Sequence, residues 1–75
     1  MINITIGTNL SRKNVIANEG ASLRSVLKDN GVNPNATIHI DGMPVDSEEL
    51  DLSLAELDVT EGSYLIAVVK ADNAI

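Results

Sequence analysis

Residues 64–70 read Tyr64-Leu65-Ile66-Ala67-Val68-Val69-Lys70, and Tyr64 to Val69 is the longest uninterrupted apolar run in the chain. It falls far short of the ~20 residues that a membrane helix needs. Its length suits a strand, and a run that is apolar on both sides belongs at the centre of a sheet. Glu61-Gly62 sets the turn into it. Earlier in the chain, Asp41-Gly42 is the strongest short turn signal. It joins a strand over Ala36–Ile40 to a short strand over Met43–Val45, which Pro44 confines to an edge. The acidic segment Asp46–Asp58, with Leu50, Leu52, Leu54 and Leu57 interspersed, reads as a loop and one helical turn, with some of its leucines plugging the open end of the core.

The N-terminal third supplies the rest. Ile2, Ile4 and Ile6 alternate with Asn3 and Thr5, the period-2 pattern of a half-buried strand. Gly7-Thr8-Asn9 is a turn signal, and Lys13–Ala17 completes a hairpin. Ser22 is a helix cap, because its hydroxyl accepts from the orphan amides of a first turn. Leu23, Val26 and Leu27 follow at helical spacing, and Lys28 suits the negative end of the helix dipole. Gly31 can adopt the left-handed conformation that ends a helix, and Val32 folds back on it. The helix is expected over Ser22–Asn30.

The 75 residues make one small domain over 1–70 with a short polar tail, 71–75. Apolar residues are 44% of the chain, too many for a disordered segment. Eleven acids against five Lys and Arg give a net charge of −6, which repels nucleic acid and an anionic membrane surface. The one aromatic residue is Tyr64, so base stacking has no platform. The absence of cysteine excludes disulfides, thiolate metal sites and thiol catalysis, and is compatible with a cytoplasmic location. The alternating N-terminus lacks the basic and apolar regions of a signal peptide.

The order is strand, strand, helix, strand, short strand, helical turn, strand. On that order, and over Gly31–Asn35, Ala36–Val45, Ser53–Val59 and Glu61–Leu65, the chain resembles ubiquitin element by element. The segment Gly20-Ala21-Ser22-Leu23-Arg24-Ser25-Val26-Leu27 is similar to the sulfur carriers of thiamine and molybdopterin biosynthesis. The resemblance implies an α+β fold of the ubiquitin-like β-grasp type, a mixed four- or five-stranded sheet with one helix packed on one face. Ubiquitin and the sulfur carriers end in a Gly-Gly tail whose carboxylate is adenylated. Here the last five residues are Ala71-Asp72-Asn73-Ala74-Ile75, and Gly62 is the last glycine. The chain therefore looks like the non-conjugating bacterial ubiquitin-like proteins, which act through their surfaces.

Candidate chemistry is sparse. His39 and Asp41 are two apart and can share a face, yet no glycine-flanked serine accompanies them. Asp46, Glu48, Glu49 and Asp51 lack the mid-loop glycine of a calcium loop, and Leu50 interrupts them. The five glycines punctuate turns and form no phosphate cradle. No catalytic residue, metal or cofactor is expected. From Val32 to Val69 there is no Lys or Arg, whereas seven acids fall between Asp46 and Glu61, an asymmetry that can steer a basic partner and can equally serve only to keep a small protein soluble.

A sheet covered by one helix buries one side. With Ile2, Ile4, Ile6, Val15, Ala17, Ile38, Ile40, Leu65, Ala67 and Val69 inward, the outward residues include Thr5, Ile16, His39, Ile66 and Val68. Three of those five are aliphatic, and a contiguous apolar patch marks a binding surface. The resemblance implies the same face, since ubiquitin binds most partners through it, and His39 falls where ubiquitin's central patch isoleucine lies. The expected function is a monomeric, non-catalytic interaction module that binds another protein through this face. Two other expectations are a modifier or sulfur carrier activated at a processed terminus, and a subunit that self-associates through the Met43–Val45 edge.

Overall fold

The alternating N-terminus forms strand β1 (Ile2–Thr8), which turns back into β2 (Arg12–Ala17) in the computed structural model, which describes residues 1–68. Helix α1 (Leu23–Asp29) follows, then β3 (Thr37–Ile40), β4 (Met43–Pro44), a 3₁₀ turn over Ser47–Asp51, and β5 (Tyr64–Val68). The sheet is mixed and five-stranded in the order β2-β1-β5-β3-β4, so β5 does occupy the centre. It runs parallel to β1 and antiparallel to β3. The architecture is α+β and of β-grasp-like type. Expectations for Val69, Lys70 and the 71–75 tail lie outside the described residues.

The helix begins and ends where its cap residues require. Ser22 Oγ accepts from Ser25 N–H, and the backbone N–H groups of Asn30, Gly31 and Val32 return to Leu27 and Lys28 carbonyls. Gly31 has φ +75°, the left-handed value that a helix-terminating glycine supplies. Leu23, Val26 and Leu27 are buried against Ile2, Ile4 and Ile6 of β1 and Leu65 and Ala67 of β5. From the acidic segment, Leu50 and Leu54 enter the same core, Leu57 is half-buried and Leu52 is exposed. The segment is tied down by Leu23 N–H on Leu52 O, Leu54 N–H on Ala21 O, and an Arg24–Asp51 ion pair at 2.9 Å.

Gly7 departs from expectation. It lies within β1 rather than in the turn, at φ +153°. A Cβ there would stand 2.2 Å from Ser11 O and 2.8 Å from Arg12 Cα. The glycine is what lets the start of β2 close onto β1, and the tight turn falls one step later, where Thr8 Oγ1 accepts from Leu10 and Ser11 N–H. Gly7→Ala is expected to cost about 2–3 kcal/mol, the scale of a forced overlap in packed structure. Urea unfolding measures it, and a loss near zero contradicts the close approach.

Glu61 fastens the other end of β1. Its carboxylate accepts from Asn3 N–H at 3.0 Å and Asn3 Nδ2 at 2.8 Å, while Gly62 N–H donates to Asn3 O. Those bonds hold the Glu61 carboxyl below its ordinary value of 4.5. Hydrogen bonds from Ser53 do the same for Glu56, and Arg24 does so for Asp51. A carboxyl depressed in the folded state contributes stability above its unfolded value and loses it as pH falls through the folded value. Melting temperature is therefore expected to hold above the ordinary glutamate value and to fall below it. Glu61→Gln should lower stability at neutral pH and flatten that acid slope, and an unchanged slope contradicts the assignment.

Candidate functional site: the uncovered sheet face

The helix, Val32, Leu50, Leu54 and Val59 all join the core on one side of the sheet. Strand alternation sends a second set of side chains to the other side. In register, Ile66 of β5 sits between Gly7 of β1 and His39 of β3, with Pro44 of β4 beyond His39. Val68 pairs with Thr37, and Tyr64 pairs with Thr5, whose hydroxyl donates to Asn14 Oδ1 at 2.8 Å. Tyr64 and Val68 are 47% and 43% exposed, so the two ends of β5 offer contact area while Ile66 between them is half-buried. Among strand residues in these outward rows, Arg12 carries the one formal charge.

The five expected contact residues do not all come together. Thr5, His39, Ile66 and Val68 lie on or beside β5. Ile16 pairs with Asn3, four positions along β1 from the Gly7 that flanks Ile66. At ~3.3 Å per residue that is about 13 Å along the strand. Ile16 is 67% exposed, but as a separate corner of the face. The hairpin tip is pinned to β5 by Asn9 N–H on Ala67 O at 3.2 Å, and Leu10 next to it in the turn is 74% exposed. Sequence reading missed Tyr64 because the pattern was read from Leu65 inward.

His39 has the most particular environment. Across the sheet it meets Ile66 and Pro44, and neither can orient an imidazole. Asp41, the neighbour expected to share its face, uses Oδ1 to accept from Tyr64 N–H at 2.9 Å, while Asp41 N–H donates to Tyr64 O. His39 Nδ1 is buried without a hydrogen-bond partner. An orphaned N–H is costlier to bury than an unfilled acceptor. The proton therefore belongs on Nε2, with Nδ1 left as the bare nitrogen.

The acidic loop is occupied with local structure. Glu49 Oε1 accepts from Asp46 N–H and Asp51 pairs with Arg24. Among the described residues no group of three or more His, Asp or Glu side chains is arranged to hold a metal, and no helix is long and apolar enough to cross a membrane. The terminus on which the modifier reading depends lies outside the described residues.

Neither a protein-family model nor a curated protein matches the chain. Solved structures do. A chain of phenol hydroxylase from Pseudomonas sp. OX1, crystallised under xenon pressure, superposes with a TM-score of 0.75 at 12% identity, covering 96% of this chain and 75% of that one. An Arabidopsis thaliana protein solved by NMR with evolutionary couplings superposes with a TM-score of 0.62 at 15% identity, covering 96% and 94%. At such identities the likeness is one of fold alone.

The tautomer is directly testable. Long-range ¹H–¹⁵N correlation at neutral pH is expected to show His39 Nδ1 with the shift of a bare nitrogen and Nε2 with that of a protonated one. The reverse pattern contradicts the environment described.

Proposed function

We propose that this chain is a non-catalytic, ubiquitin-like interaction module that binds another protein through the outer sheet face. The observation that carries the reading is the continuity of Tyr64, Ile66, Val68, His39 and Pro44 across three strands, with no formal charge among them. Scattered apolar residues mean little on a surface, whereas a contiguous set at the centre of a sheet is an anchor site. Asp41 and Glu61 flank the face, so its partner presents an apolar centre with basic residues around it. The hydroxylase chain of similar fold belongs to an enzyme, and that likeness supports no activity for this one. The cysteine-free composition supports a cytoplasmic setting.

The module is tested by affinity capture from the source cell with three baits: wild type, Ile66→Asp and Ile16→Asp. Both substitutions change exposed or half-buried outward positions, and thermal melts verify folding. Ile66→Asp is expected to remove the partner, a loss of at least about 2 kcal/mol at a central anchor. Ile16→Asp, at the remote corner, should retain it. Equal capture by wild type and Ile66→Asp contradicts the proposal.

A further inference from the structure

Beside β4, a cleft of about 260 Å³ opens between the β3–β4 hairpin, Glu49 and residues 57–58, with Pro44 in its lining. Ile40, Val45 and Leu57 wall it, and Met43 stands at the mouth, 69% exposed. Three acidic residues, Asp41, Glu49 and Asp58, are among those that line the same cleft. None has an ion-pair partner among the described residues, whose two salt bridges are Met1–Glu19 and Arg24–Asp51. No Lys or Arg lines the cleft, and none occurs from Val32 to Val69. Of the four described Lys and Arg side chains, Arg12 and Lys13 lie on β2 at the opposite edge of the sheet, Lys28 ends α1, and Arg24 is paired with Asp51.

An apolar trough with carboxylates around its rim matches one kind of occupant. The occupant needs an aliphatic stem to lie on Ile40, Val45 and Leu57, and a cationic head to meet the carboxylates. The volume takes one side chain and excludes a helix or a folded surface. Asp41 and Glu49 each spend one oxygen on a backbone N–H, which leaves the other free. Carboxylates set apart around a cleft suit a planar head with several donors better than a compact ammonium. We propose that this cleft binds a single arginine side chain of a partner protein. Asp41 and Pro44 border both this cleft and the outer face, and binding of an isolated arginine compound at the cleft is read out whether or not the outer face docks a protein.

The test is a titration of the ¹⁵N-labelled full chain at low ionic strength, with N-acetyl-arginine methylamide and its uncharged isostere N-acetyl-citrulline methylamide. The arginine compound is expected to give saturable amide shifts in the millimolar range at Met43, Val45, Leu57 and Asp58. The citrulline compound should bind about tenfold more weakly. Asp58→Asn is the decisive variant. Asp58 has φ +60°, a conformation that Asn also accepts, so the variant should keep its melting temperature and bind the arginine compound about threefold more weakly. Glu49→Gln, whose amide oxygen can still accept from Asp46 N–H, is the second variant if Asp58→Asn misfolds. Equal binding of the two compounds overturns the proposal. So do shifts that never saturate, shifts spread evenly over Asp46, Glu48 and Glu56, and full arginine affinity in a folded variant.

Discussion

A parallel pairing between the two ends of the described chain, Thr5–Thr8 against Tyr64–Ala67, is the constraint from which the rest of the structure follows. Parallel neighbours cannot be joined by a tight turn, so the intervening residues must cross over one face of the sheet. They do so as α1, and the β3–β4 hairpin then adds to the far side of β5. The register is fastened at each end by named bonds. Glu61 and Gly62 hold Asn3, Ser63 O accepts from Thr5 N–H, and Asn9 N–H reaches Ala67 O. Asp41 caps the β3 side of the same strand through Tyr64. Together these contacts decide that Leu65 and Ala67 face the helix and that Tyr64, Ile66 and Val68 face away.

The crossover also explains why one face stays bare. A helix of seven residues is about 10 Å long and about as wide. Five strands at ~4.8 Å spacing span about 19 Å between the outermost axes. The helix alone therefore falls short of covering even its own side, and Leu50, Leu54 and Val59 are drawn in beside it. Nothing among the described residues remains for the second face. Charge follows the same geometry: cations lie on β2 and α1, and most carboxylates gather around β4 and the loops before β5. The result is a small domain with an apolar outer face, an acidic side and a basic edge.

Much of this was legible because alternation and capping act locally. Ser22 and Asn30-Gly31 bound the helix in the structure as they do in the sequence, and Ile2, Ile4 and Ile6 all turn inward. The apolar character of 64–68 placed β5 at the centre. What was not legible depends on long-range register. Gly7 looks like any turn glycine until the backbone of Ser11 is seen against it. Ile16 and Ile66 are equally outward in an alternation pattern, and it takes the offset between β1 and β5 to separate them. Leu52 and Leu54 are two apart in one acidic loop, yet only the second is buried, because Leu54 N–H is drawn to Ala21 O.

The account rests on a sheet sealed on one side and open on the other, and solvent access at methyl groups reports that directly. Methyl-labelled protein exposed to a soluble paramagnetic reagent should show strong relaxation at Ile16 and Val68 and an intermediate effect at Ile66. Ile4, Ile6 and Ile38, each no more than 1% exposed, should be protected. Ile66 and Val68 methyls as protected as those of Ile38 would mean that the second face is covered, and would contradict the account.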